Sequence, residues 1–325
     1  MRKLLTLSLF ILTTLSSFCQ VDDDDIAFIA YWSQGDSYDF KVTKTSQTWN
    51  NEILAKKDSL QYVANFFVLE ENENSYKIQW SYRNRLFSTF QENFKKINND
   101  NEIMNSMPSK YDTLNIIYRT SELGEFIEIE NLKEISDLMI DFFHEFEKRL
   151  VNQNPERTEE IKHAMASLLE IFSSKDGIEQ LILKDLQYLH AFFGYEYETN
   201  DTLNYEQELP NMLGGEPIRC LGTITFEEID LENSFCILRE KVIINPDDTK
   251  RLTTQLLRNL GFDNNNIEEA FSTAIFDIID LNLYQLYFYP GVPHSIYGSR
   301  RIIVEVNDSR NEKLDELFLE LIYDE

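Results

Sequence analysis

The sequence predicts an α+β fold: a curved antiparallel sheet or half-barrel with a three-helix middle segment packed on one face. Three observations point there. Apolar residues recur at helical steps between Asn131 and Gly194, and strand-like alternation flanks that stretch on both sides. The 23 Phe and 16 Tyr, set against only 10 Gly, supply bulk for broad β surfaces. A hydrophobic content of 42% suits a packed core rather than a disordered chain. Each arm needs a cover for its apolar face, and the middle helices can provide it. One integrated domain over 26–325 is therefore expected, with an N-terminal β arm at 26–130, a helical middle at 131–194 and a C-terminal β arm at 217–325.

The chain begins with a secretory signal peptide, 1–19. Arg2 and Lys3 form the charged region, Leu4 to Leu15 the apolar region, and Ser17 and Cys19 take the small-residue positions before a cut that leaves Gln20 first. The expected localisation is exported, periplasmic or secreted. The alternative is an outer-membrane lipoprotein anchored through Cys19, although bulky Phe18 stands where a small residue is wanted. An acidic linker, 20–25, follows. Its four aspartates lack the glycine and the alternating spacing of a calcium loop, so they read as a solvated tether.

In the N-terminal arm, Ile26 to Trp32 is an apolar run, Gly35-Asp36 marks a turn, and Tyr38, Phe40 and Val42 alternate with polar residues as a strand. Ser46 to Lys57 is polar and reads as a loop. Tyr62 to Leu69 is a second strand, and Glu70 to Ser75 a turn. Tyr76, Ile78, Trp80 and Tyr82 then alternate with Lys77, Gln79, Ser81 and Arg83, the clearest strand in the chain. Phe87, Phe90, Phe94, Ile97 and Met104 suggest a helix over Leu86 to Met107. Thr113–Arg119 and Phe126–Glu130 read as a hairpin turned at Gly124.

The middle opens with Leu132, Ile135, Leu138, Met139, Phe142, Phe146 and Leu150 on one helical face. A break at Asn152 to Pro155 separates it from a second stripe, Ile161, Ala164, Met165, Leu168 and Phe172. A third helix is expected from near Ser174 to Phe193, stopped by Gly194. The tyrosine-dotted stretch with Tyr195, Tyr197 and Tyr205, on to Gly214-Gly215, reads as loop. Strands resume at Leu221–Ile229 and Phe235–Ile244. Pro246-Asp247-Asp248 opens a helix to Leu260, and a short helix is expected over Ile267–Phe271. Strands at Asp277–Tyr289, Arg300–Val306 and Leu317–Tyr323 close the chain, with Pro290 to Gly298 as a connecting loop. The two hairpins Phe67–Tyr76 and Phe226–Phe235 share an acidic turn ending in Glu-Asn-Ser, a weak sign of internal duplication.

A net charge of −27 excludes nucleic acid as a partner, because phosphate binding needs clustered Lys and Arg. No segment is long and apolar enough to be a transmembrane helix. Neither a nucleotide fingerprint, a serine elbow, HExxH nor CxxC occurs, so no catalytic residue, metal site or cofactor is assigned. Cys220 and Cys236 sit toward opposite ends of a hairpin and are expected as two free, buried thiols. Tyr76, Ile78, Trp80 and Tyr82 are the candidate apolar wall of a ligand pocket, against the plainer reading that they pack under the helices. Tyr289, His294 and Tyr297, in a loop with two prolines and two glycines, form the candidate functional loop.

The Trp32–Tyr38 turn (Trp-Ser-Gln-Gly-Asp-Ser-Tyr), the Asn74-Ser75-Tyr76 to Trp80 strand and the Tyr118–Phe126 hairpin carry a resemblance. The chain resembles an uncharacterised secreted and envelope protein family of Bacteroidota, β-rich with helical insertions. The resemblance covers about two-thirds of the chain and implies compartment and fold class, with no catalytic residues to carry over. The expected function is that of an exported, non-enzymatic envelope protein that binds a hydrophobic small molecule or an envelope protein. The alternatives are a hydrolase with spatially assembled acidic residues and a purely structural surface protein.

Overall fold

Where apolar and polar side chains alternate, a strand has one buried and one outward face. The computed structural model describes residues 25–83, 107–173, 178, 185–199, 202–209, 215–259, 271, 273–307 and 309–323. The elements of the first arm are β1 (Asp25–Ala27), β2 (Ser37–Asn50), β3 (Ile53–Asn72), β4 (Ser75–Arg83), β5 (Thr113–Ser121) and β6 (Phe126–Ile129). Helices α1 (Leu132–Gln153) and α2 (Thr158–Ser173) follow, and then β7 (Glu196–Glu198) and β8 (Leu203–Leu209). The last arm holds β9 (Ile218–Asp230), β10 (Phe235–Ile244), α3 (Pro246–Asn259), β11 (Ile275–Tyr287), β12 (Val292–Val306) and β13 (Ser309–Leu321).

Eleven of these strands form one antiparallel sheet in the order β6-β5-β4-β3-β2-β13-β12-β11-β10-β9-β8. The two arms meet where β2 pairs with β13, from Asn50 opposite Asn311 to Phe40 opposite Leu321. The sheet is open, with β6 and β8 as its edges, and β1 pairs separately with β7.

One face of the sheet is covered. Phe40, Val42, Tyr62, Ala64, Phe66, Val68, Ile78, Trp80, Tyr82, Ile116 and Tyr118 are buried on it, joined across the β2–β13 seam by Leu317, Leu319, Ile296, Tyr284 and Leu238. The cover has three parts. Alternate residues of the apolar run, Ile26, Phe28, Ala30 and Trp32, point into the core. Helix α1 buries Ile135, Met139, Phe142, Phe143, Phe146 and Leu150; of the predicted stripe Leu132 and Leu138 are only half-buried, and Phe143 is added. Its start is tied to β5 by Asn131, whose Oδ1 accepts from the Ile117 amide and whose Nδ2 donates to the Asn115 carbonyl. The third part is a helical segment at 185–190 and the turn after it, which bury Leu186, Leu189, Phe192 and Phe193.

Helices α1 and α2 stand where the periodicity placed them. The third expected helix is described only in part, its residues 174–177 and 179–184 lying outside the described residues. The expected leader, the linker up to residue 24, and the helices expected over Leu86–Met107 and Ile267–Phe271 also lie outside them, apart from Met107 and Phe271.

Three loops of the sequence reading are strands in the structure. The polar stretch Ser46 to Lys57 is the end of β2 and the start of β3, joined by a two-residue turn in which Asn51 and Glu52 have φ of 46° and 67°. This hairpin end extends past the covered face, so its residues have no apolar side to alternate with. The stretch from Tyr195 to Leu209 contains β7 and the edge strand β8, whose polar side chains suit a margin open to water. The loop expected over Pro290–Gly298 is reduced to a turn at 288–291, and His294 and Tyr297 belong to β12. Cys220 and Cys236 are free and buried, opposite Ile244 and Ile229 at the two ends of the β9–β10 ladder. Burial pushes the Cys236 thiol up to about 12.

Polar contacts fix the 185–193 cover on the sheet. Asp185, with its side chain 1% exposed, accepts from Lys44 Nζ at 2.6 Å, Tyr62 OH at 2.8 Å and Tyr82 OH at 3.1 Å. The Tyr188 ring lies over Gly298, where a Cβ would come within 2.9 Å of its ring atoms and hydroxyl. His190 is buried between two fixed partners. Its Nδ1 donates to the Gly124 carbonyl at 2.8 Å, so its Nε2 accepts from the Tyr118 hydroxyl at 2.8 Å. This is the neutral imidazole, and burial lowers its pKa from 6.5 to about 4, against the Gly124 carbonyl, which favours the protonated ring.

Two predictions follow from these pins. Asp185→Ala removes the shared acceptor of three donors, and urea unfolding at pH 7 should show a loss of about 3 kcal/mol. For His190, the unfolded chain takes up a proton below pH 6.5 that the fold refuses until about pH 4. Stability is therefore complete above that window and falls as pH drops through it, by about 3 kcal/mol in all. Between pH 7 and pH 4.5 the native chain should lose about 2 to 3 kcal/mol more than His190→Gln, which keeps one donor and one acceptor but does not titrate.

Candidate functional site

Among the described residues, neither predicted site lines either of the two cavities described below. Tyr76, Ile78, Trp80 and Tyr82 share the covered face as expected, but core side chains occupy the space in front of them. The Trp80 ring meets Phe40 and Tyr82, Tyr82 meets Tyr62, and Tyr76 meets Trp32. Tyr289, His294 and Tyr297 are not brought together either. Tyr289 is exposed at the turn beside Tyr31, His294 Nδ1 lies 2.6 Å from the Tyr323 hydroxyl, and Tyr297 donates to Glu316 at 2.7 Å.

A cavity of about 890 Å³ lies at the other end of the sheet. It forms where the 185–193 cover ends and the chain turns away through β7. Phe192, Tyr195 and Tyr197 line the cover side; Leu203, Tyr205 and Gln207 of β8, Ile224 and Phe226 of β9, and Glu240 of β10 line the sheet side. Period-two spacing places Tyr195 and Tyr197 on one side of the short strand, and Leu203, Tyr205 and Gln207 on one side of β8. Tyr197 is the hub of the aromatic wall, with ring centroids 5.7 Å from Phe192, 6.3 Å from Phe226 and 6.3 Å from Tyr195. Phe28 backs this wall, 5.7 Å from Tyr197 and 6.5 Å from Phe226.

Glu240 is the polar group held inside. One carboxylate oxygen accepts from the Tyr205 hydroxyl at 2.6 Å and the other from Asn282 Nδ2 at 2.8 Å. Burial, with the adjacent Glu240 charge, holds the Tyr205 hydroxyl well above the usual tyrosine range. Tyr205 reaches this position because its cross-strand partner is Gly222. A Cβ at Gly222 would fall inside the Tyr205 ring.

A smaller cavity of about 250 Å³ lies over Lys44, Ser46, Asp58, Asp185, Asp315 and Glu316. Its polar groups already serve one another: Lys44 with Asp185, Ser46 with Asp315 at 2.7 Å, and Thr45 with Glu316 at 2.6 Å. Among the described residues no three His, Cys, Asp or Glu side chains converge as a metal site. Comparison with known proteins finds no family model that matches the chain and no curated protein of similar sequence.

Sequence reasoning passed over the larger cavity because its residues come from a stretch read as loop. The signal that could have found it is the Tyr195, Tyr197 and Tyr205 series, whose spacing allows short strands. We expect Gly222→Ala to cost about 1 to 3 kcal/mol by driving its methyl into the Tyr205 ring. In urea unfolding, Gly222→Ala combined with Tyr205→Ala should be more stable than the sum of the two single losses.

Proposed function

We propose that the chain is an exported, non-enzymatic binding protein whose ligand occupies the aromatic cavity beside β8. The observation that carries this reading is the cavity itself. Its volume of about 890 Å³ is that of a small-molecule site, and its lining combines apolar surface with a few anchored polar groups. The aromatic faces suit an apolar ligand body. Among the described residues no helix is long and apolar enough to cross a membrane. Export is supported by the charged, then apolar, N-terminal stretch. The hydrolase alternative has less support, because both carboxylate oxygens of Glu240 are already engaged by Tyr205 and Asn282.

The test uses the chain from Gln20 onward and the neutral apolar dye N-phenyl-1-naphthylamine. Its fluorescence should rise with saturable, single-site binding. Tyr195→Ala, at an exposed position where folding is not at stake, and Phe226→Ala should each weaken binding by about fivefold or more. Absence of saturable binding, or binding indifferent to both substitutions, would sink the proposal.

A further inference from the structure

We infer that the ligand of this cavity is an organic cation, an amine or quaternary ammonium carried on an apolar body, with its nitrogen set among the aromatic faces near Glu240. This rests on the binding function proposed above and adds the ligand's charge.

The lining is one-sided in charge. It contains Glu196, Glu198 and Glu240, the rings of Phe192, Tyr195, Tyr197, Tyr205 and Phe226, and no Lys, Arg or His among its described residues. Each ring offers an electron-rich face, to which a cation is drawn and an anion is not. Glu240 is half-buried, and both of its oxygens accept hydrogen bonds from neutral donors, Tyr205 and Asn282. Among the described residues no basic side chain stands within ion-pair distance of it. Among the described residues, the buried or half-buried carboxylates Asp185, Asp248 and Asp280 each have a cation beside them, Lys44, Arg219 and Arg300. Glu240 has neutral donors only, as Glu316 has beside the smaller cavity, but Glu240 alone of the two stands among aromatic faces in the larger one. A bound cation supplies the missing countercharge. Glu196 and Glu198, exposed in the lining, and the net charge of −27 favour the approach of cations over anions.

The experiment displaces N-phenyl-1-naphthylamine with three ligands of one chain length, each below its micelle concentration: dodecyltrimethylammonium, dodecanol and dodecanoate. The ammonium should displace the dye at about tenfold lower concentration than dodecanol, with dodecanoate the weakest. Glu240→Gln should narrow the ammonium preference to within about threefold and leave dodecanol unchanged. That variant keeps the acceptor for Tyr205, and the Asn282 amide can turn its unpartnered Oδ1 to the new N–H. Tyr197→Leu should narrow the preference as well, since it removes a π face but no charge. Equal displacement by all three ligands, or an ammonium preference that persists in Glu240→Gln, overturns the cation assignment. In either case dye binding that still responds to Phe226→Ala leaves the binding function standing. Dye binding indifferent to both Tyr195→Ala and Phe226→Ala removes both.

Discussion

The ladder between β2 and β13 joins the first strands of the chain to the last. On its covered side Phe40, Val42 and Lys44 stand opposite Leu321, Leu319 and Leu317. On the other side Thr45 and Glu316 form a side-chain hydrogen bond across the seam. Without this pairing the sheet would part into two pieces, each with a long unpaired edge. With it, aromatic residues of β3 to β5 and aliphatic residues of β10 to β12 belong to one buried surface. Pairing residues from opposite ends of the chain costs more loop-closure entropy than a local hairpin, so most of the chain has to be ordered around this seam before it is stable.

Because the seam makes one surface, one short segment can cover the middle of it. Asp185 reaches Lys44 on β2, Tyr62 on β3 and Tyr82 on β4, while Tyr188 lies over Gly298 on β12. Farther on, Trp32 donates to the Gly291 carbonyl at 2.8 Å, which links the N-terminal run to the β11–β12 turn. These contacts set where the cover stops, and the cavity lies just beyond that point. Its walls are thus a consequence of how far a pinned segment reaches along a wide sheet. Glycines shape both places, Gly298 beneath Tyr188 and Gly222 beneath Tyr205, each by giving a ring room to lie on the backbone.

The site was partly legible as composition and hardly at all as position. Tyr76, Ile78, Trp80 and Tyr82 announced an aromatic face, and that face exists, but alternation tells only that a side chain points inward. Whether it meets a ligand or another side chain depends on what lies opposite. Here Trp32 and Asp185 of the cover meet Tyr76 and Tyr82, while Phe40 and Tyr62 flank Trp80 and Tyr82 on the same face. The cavity residues Tyr195, Tyr197 and Tyr205 sit in strands too short, or too close to an edge, to show an apolar–polar rhythm. His294 and Tyr297 were misplaced because prolines and glycines suggested a long connection. The backbone needs only the four residues 288–291 to turn.

The sequence by itself determined the element types wherever one face is dry and the other wet: α1, α2 and the strands around Tyr38, Trp80, Ile116, Leu238 and Tyr284. In such segments the periodicity of burial is written directly into residue order. It also determined the strongly acidic balance and the opposite-end placement of Cys220 and Cys236. Only the tertiary structure decided that β2 pairs with β13, that β8 extends the sheet, and that Glu240 faces a cavity with Tyr205 and Asn282 as its partners. The first of these depends on residues far apart in the chain meeting across a ladder, and the others on what lies across from a short edge strand; local hydropathy records neither.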